Sequence, residues 1–295
     1  MKSKKIIATL LALTLSGGLL AGCGGGNDAA STDTSAPASA QTEKTSDGDK
    51  TITIGASPSP HAEILKHFES DFEKAGYTLK IVEFTDYVQP NKALDAGDLD
   101  ANYFQHEPYL LDFNEENGTK LVSAGGIHYE PMGLFANSIT SFDAIPDGAK
   151  VAIPNDTTNE ARALLLLSEN GLITLKEGSD LKATVLDIEE NPKNLEFVEL
   201  DAAQIPRSLQ DVDLAVVNGN YALDAGLNIS DALVIEASDG VAAKTYANII
   251  AVREGEEESE KTKVIMSILT SEAAKTYIEE NFQGAVLPTD YTAAE

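Results

Sequence analysis

Ile153-Pro154-Asn155-Asp156-Thr157-Thr158-Asn159-Glu160-Ala161-Arg162-Ala163-Leu164-Leu165-Leu166-Leu167 is the stretch on which the architecture turns. Just before and into it, residues 149–153 form a short apolar run that reads as a strand, stopped at Pro154. From residue 157 to 170 a helical pattern takes over, and Gly171 ends it. The run Leu164–Leu167 is apolar on every side of that helix, as expected where a helix is buried between a sheet and its neighbours. Thr157 and Glu160 have the spacing of a capping box, so the helix is expected to begin directly at the strand end. A strand that feeds a buried helix is the repeating unit of α/β proteins.

The same alternation continues on both sides. Upstream, strands are expected over 51–54, 79–84 and 99–104, with short ones over 121–124 and 132–136. Helices are expected over 61–74, where Ile64, Leu65, Phe68 and Phe72 share a face, then over 86–96, and over 108–117 up to Gly118. Downstream, strands are expected over 197–200, 214–217, 234–236 and 246–253. Helices fall around 202–209 and 220–225, and two more, 262–269 and 272–282, close the chain. The order predicts an α/β fold of two lobes, each a mixed, mostly parallel sheet flanked by helices. Extended crossovers near 137 and 237 give lobe 1 as 51–136 plus 237–295 and lobe 2 as 137–236. The last two helices are expected to pack back on lobe 1.

Ahead of the folded part, Lys2, Lys4 and Lys5 precede a run over 6–20 of apolar, small and hydroxyl residues. That run is short of the roughly 20 apolar residues a membrane-spanning helix needs, and reads as a signal peptide over 1–22. It ends in Leu20-Ala21-Gly22-Cys23, which resembles the bacterial lipobox, so cleavage before Cys23 and a lipid anchor on it are expected. Cys23 is the only cysteine, which excludes an intrachain disulfide. Residues 24–50 hold glycine, alanine, serine, threonine and acids, with no aromatic residue, and read as a flexible tether spanning about 25–30 Å.

The chain carries 21 basic and 48 acidic residues, and loss of the signal peptide would remove three of the lysines and no acid. So acidic a surface excludes nucleic acid as a partner and repels anionic lipid headgroups, leaving membrane contact to the anchor. Enzyme motifs are scarce: there is no Gly-x-Ser-x-Gly elbow, no P-loop and no His-Glu-x-x-His pair. The histidines are His61, His67, His106 and His128; Glu63 and His67 read as a solvent-facing pair and His128 as a loop residue. No motif asks for a cofactor or a metal.

Open α/β sheets bind ligands beyond the ends of their strands, and four segments there carry polar and aromatic residues. They are Phe84-Thr85-Asp86-Tyr87, Asn102-Tyr103-Phe104-Gln105-His106 up to Tyr109, the opening stretch, and Asn218-Gly219-Asn220-Tyr221. At the start of the 157–170 helix, free N–H groups attract an anion, and Arg162 can grip a carboxylate with two prongs. Asn159, three residues earlier, shares its face. The residues alone equally allow Arg162 to pair with one of the acids of the protein itself.

Taken together, Asp98-Leu99-Asp100-Ala101-Asn102, Phe104-Gln105-His106, Pro154-Asn155-Asp156, Glu190-Asn191-Pro192-Lys193-Asn194-Leu195, Pro206-Arg207-Ser208-Leu209 and Tyr246-Ala247-Asn248 resemble the NlpA-type lipoproteins, the methionine-binding subunits of ABC importers. The resemblance covers residues 51–295. It implies a two-lobed periplasmic-binding-protein fold that closes on one amino acid, methionine or a close derivative, and hands it to a permease and its ATPase. It further implies an aromatic cage of Tyr87, Phe104, His106 and Tyr109 for the thioether. The ligand carboxylate would meet Arg162 with Asn159 nearby, and Asn218 and Asn248 would hold the polar end. A monomer, no cofactor and no catalysis are expected. The rival readings are a lipid-anchored α/β enzyme and a surface adhesion or signalling lipoprotein.

Overall fold

The computed structural model describes residues 50–238 and 241–289. The signal peptide, the lipidation site Cys23 and the tether as far as residue 49 lie outside the described residues. Thirteen strands run along the described residues: β1 (Thr51–Ala56), β2 (Thr78–Glu83), β3 (Ala101–His106), β4 (Leu121–Tyr129), β5 (Gly133–Ala136), β6 (Lys150–Pro154), β7 (Thr174–Leu175), β8 (Ile188–Glu190), β9 (Glu196–Leu200), β10 (Leu214–Val217), β11 (Val234–Ile235), β12 (Ala247–Arg253) and β13 (Leu287–Pro288). They form a six-stranded sheet in the order β13-β4-β12-β3-β1-β2 and a five-stranded sheet in the order β11-β5-β10-β6-β9. A small antiparallel pair, β7 with β8, stands apart.

Each sheet is mixed for the same reason. Strand–helix–strand units build its parallel half, where β1 pairs with β2 and β3, and β6 with β9 and β10. Strands that return from the other sheet complete it antiparallel: β12 enters between β3 and β4, while β5 pairs with β10 and β11. The central strands β3 and β10 are buried along their whole length, as expected of strands covered on both faces.

Ile52, Ile54, Leu65, Phe72, Ile250 and Val252 form one core with Ile265, Ile278 and Phe282 from the two C-terminal helices, Glu260–Leu269 and Glu272–Phe282. Those helices therefore pack on the first sheet. Ser259 and Ser271 cap them, accepting from the N–H groups of Thr262 (3.1 Å) and Ala274 (3.2 Å). A second core joins Leu164, Leu166 and Leu167 to Val151, Ile153, Leu214 and Val216. No helix among the described residues is long and apolar enough to cross a membrane.

Three local expectations need correction. The strand over 132–136, read as closing the first series, lies in the second sheet as β5, with Leu134 opposite Val216. Pro131 has no N–H for a ladder, so β4 ends at Tyr129 and the chain crosses at Glu130–Met132 rather than near 137. The helix over 61–74 divides at Phe68 (φ −93°, ψ 8°) into Glu63–His67 and Glu69–Lys74, still turning Ile64, Leu65, Phe68 and Phe72 inward. Finally, β4 runs through Gly125-Gly126 to Tyr129, past the point where the glycines signal a break. Gly125 sits at φ 145°, and a Cβ there would lie 2.6 Å from Met266 Cε, so a bulged strand pressed against a helix demands glycine.

Candidate functional site

Eight residues singled out by their strand-end positions and the family resemblance line a single cavity. Tyr87 comes from the loop after β2, Phe104 and His106 from the end of β3, and Tyr109 from the helix Glu107–Asn117. Asn248 is on β12. From the other sheet come Asn159 and Arg162, at the start of the helix Thr157–Glu169, and Asn218 after β10. Gln105, Glu130, Gly219 and Asn220 complete the lining.

One end of the cavity is aromatic. The ring centroids of Tyr87 lie 5.8 Å from Phe104 and 5.6 Å from Tyr109, and Phe104 meets Tyr109 edge-on at 6.1 Å. The hydroxyl ends are tied down: Tyr87 donates to Asn220 Oδ1 (2.6 Å) and Tyr109 to the Tyr87 carbonyl (3.2 Å). Such a cage gives up apolar ring faces while leaving no hydroxyl unpaired. His106 caps its own helix, its Nδ1 accepting from the Tyr109 N–H at 3.2 Å. Nε2 must therefore carry the hydrogen, which it gives to Asn159 Oδ1 at 3.2 Å. Burial, aided by the nearby Arg162 charge, pushes the His106 pKa down to about 3 and keeps the ring neutral.

The other end is polar, and here Arg162 takes the second of the readings its sequence left open, pairing with an acid of the protein itself. Its Nε donates to Glu236 Oε1 (3.0 Å) and Oε2 (3.1 Å), and Nη2 donates to Glu236 Oε2 and to the Glu130 carbonyl (2.9 Å). Tyr246 stacks on the guanidinium at 4.3 Å. Glu236 also accepts from Tyr129 Oη (2.6 Å) and the Met132 N–H (3.2 Å). Burial would raise the Glu236 pKa, but Arg162 outweighs it and holds the carboxyl below the usual range. With this pair formed, Arg162 still lines the cavity.

The helix that carries Arg162 is not capped by the expected box. Asp156 is the N-cap, its Oδ1 accepting from the Asn159 N–H at 3.0 Å, and Glu160 turns away to accept from the Val185 N–H at 2.9 Å. An Asp one residue before Thr157 caps as well as a threonine would and shifts the start by one position. Asn159 is a hub: Oδ1 accepts from His106 and from Asn218 Nδ2 (2.8 Å), and Nδ2 donates to Asp156 Oδ1 (2.8 Å). That leaves Asn218 Oδ1 and Asn220 Nδ2 buried without a partner, one acceptor and one donor on lining residues. Buried polar groups are almost always paired, so this pair marks where a ligand's own polar atoms belong.

Strand-end reasoning missed Glu130, Glu236 and two histidines, while Asn220 lay within one of its segments. His128 is no loop residue; it is buried in β4, and its Nε2 donates to Glu130 Oε1 at 2.6 Å. Tyr103 Oη bonds to His128 Nδ1, and His61 Nε2 lies 2.9 Å from Asn248 Oδ1. Gly219 passes so near Glu130 that a Cβ would fall 2.6 Å from the glutamate Cβ. His61, His128 and Glu130 offer ligand atoms within 4.8 Å of one another, the described group best placed to hold a metal. Their hydrogen bonds already account for the proximity. The available signal was an acid set in apolar sequence at each crossing, Tyr129-Glu130-Pro131-Met132 and Val234-Ile235-Glu236.

The chain is similar to known proteins. The chain is 39% identical over 290 residues to the methionine-binding lipoprotein MetQ of Bacillus subtilis, covering 97% of this chain and 98% of that one. It is 42% identical over 229 residues to the D-methionine-binding lipoprotein MetQ of Escherichia coli K12, covering 77% and 82%. The solved structure of a nutrient binding protein from Burkholderia cenocepacia bound to methionine superposes with a TM-score of 0.77 at 45% identity, covering 81% of this chain and 99% of that one. With residues 52–289 also matching the family model of the NlpA lipoproteins, the chain belongs to the NlpA lipoprotein family.

Proposed function

We propose that this protein is the substrate-binding lipoprotein of an ABC importer and captures methionine, as the L- or D-form or a close derivative, between two lobes that correspond to the two sheets. The observation that carries the reading is a cavity with an aromatic cage at one end and unpaired amide groups beside a held guanidinium at the other. An amino acid zwitterion presents both signs of charge and a short side chain. Arg162 suits its carboxylate, Asn218 Oδ1 suits its ammonium group, and the cage suits a thioether. Because Glu236 already balances Arg162, a neutral zwitterion fits better than an anion.

Capture between lobes biases a hinge toward closure, and the closed form is what a permease and its ATPase would recognise. The partner set is then methionine, the permease complex and, through a lipid on Cys23, the outer face of the cytoplasmic membrane. The chain acts as a monomer and not as an enzyme. Thermal melts with a panel of free amino acids test this: a binder's midpoint rises with ligand by mass action. Methionine should give the largest rise. No rise with either methionine enantiomer, the result expected of an adhesin or a lipid-anchored enzyme of another substrate, or an equal rise with alanine, rejects the assignment.

A further inference from the structure

Asn248 stands between the cavity and a cluster behind it. It lines the cavity, while His61 and His128 behind it do not. An amide's oxygen and nitrogen have nearly the same shape, so the neighbours' chemistry must decide which one faces the ligand. His61 Nε2 lies 2.9 Å from the Asn248 amide and 3.4 Å from Glu130 Oε1. His61 Nδ1 has no hydrogen-bond partner among the described residues while Nε2 faces a Glu130 oxygen, so the ring's hydrogen is satisfied only on Nε2. That N–H meets the Asn248 oxygen, and the NH2 group is left for the cavity.

The arrangement behind His61 is rigid. His128 Nε2 donates to the same Glu130 oxygen at 2.6 Å, and its Nδ1 is the partner of Tyr103 Oη. The Tyr103 ring meets His61 edge-on at 4.6 Å, and the His128 ring lies 4.9 Å from it. All four side chains are buried, three of them completely. Burial also pushes His61 down to about 4 and His128 to about 3, so neither gains a proton near neutral pH.

We infer that His61 is a positioning residue which, held by Glu130, His128 and Tyr103, turns the Asn248 NH2 group toward the ligand carboxylate and so makes the site prefer an acid over an amide at that end. An NH2 group bonds to carboxylate oxygen and repels both an ammonium group and another NH2. The inference rests on the reading that the cavity holds an amino acid.

The test compares L-methionine with L-methioninamide by calorimetric titration. In His61→Leu the amide of Asn248 is free to turn, and the ratio of the two dissociation constants should move about tenfold toward the amide. His61→Gln, whose side-chain nitrogen can replace Nε2, should keep the parent's ratio. In an Asn248→Ala background, His61→Leu should leave the ratio unchanged within about twofold. An equal loss for both ligands, or a shift that persists in Asn248→Ala, means His61 is merely structural and overturns the inference. Nitrogen–proton correlation spectra of the parent protein give a reading free of any variant: hydrogen on His61 Nε2 supports the inference, and its absence overturns it. A parent protein that binds neither ligand rejects the functional reading, and this inference with it.

Discussion

Arg162 is a structural residue that, in the proposed function, would face the ligand as well. Its guanidinium is 4% exposed and shares Glu236 through two nitrogens, so removing it strands a buried carboxylate. Arg162→Ala should lower folding stability by about 3–5 kcal/mol. It should also weaken methionine by at least about a hundredfold, since the guanidinium on the wall is lost. Denaturant melts and titration of the same sample separate the two effects, and unchanged affinity would remove Arg162 from the site. Phe104 should behave otherwise. Phe104→Ala takes one wall of the cage and none of the polar end, so the preference for methionine over alanine should fall about tenfold or more while alanine binding barely moves. Competition titration reads that ratio directly. That Arg162, Asn159 and Phe104 line one cavity was legible because strand ends and helix starts meet at one edge of an α/β sheet. Glu236 was not, because nothing local says which of so many acids an arginine will choose across a fold.

At the scale of elements, most of the strands and helices were legible from periodicity and from their stops. Leu214–Val217 and Glu272–Phe282 have the expected bounds, and Gly118 ends its helix at φ 69°. Failures fell where a tertiary partner overrode the local signal. Gly125-Gly126 reads as a break, but Met266 of a distant helix fills the space and β12 supplies the ladder. Likewise β5 was assigned to the wrong sheet because four apolar residues carry no record of which sheet they join; Pro131 was the usable clue. The helix Thr157–Glu169 is the element on which the second core rests. Leu164→Ala should cost about 2–5 kcal/mol by the loss of packing on β6 and β10, seen as a lower denaturant midpoint with an unchanged slope. A loss below about 1 kcal/mol would mean the second core repacks freely.

For the whole molecule, the buried histidines set a pH limit. His61, His106 and His128 have folded pKa values of about 4, 3 and 3, below the ordinary value of 6.5, because burial disfavours the charged ring. Between those limits the unfolded chain binds more protons than the folded one, so stability is full above about pH 6.5 and falls as the pH drops toward 4. Each histidine contributes on the order of 2 kcal/mol of loss by about pH 5. Glu130, raised by burial, works in the opposite sense and offsets part of this. Thermal melts from pH 7 to pH 5 should show a falling midpoint, with a shallower fall in His61→Gln; a flat profile would mean the histidines are not held neutral.

The chain passes between its sheets twice, and both passages are tied to Arg162: the first through the Glu130 carbonyl, the second through the Glu236 carboxylate. The pivot and the anchor are thus one object. A redesign of this protein as a sensor for another ligand could not retune the polar end without also changing the stiffness of the joint that reports binding. Tyr87, Phe104 and Tyr109 hydrogen-bond to neither passage among the described residues. Selectivity can therefore be rewritten at the aromatic end while the mechanics stay as they are.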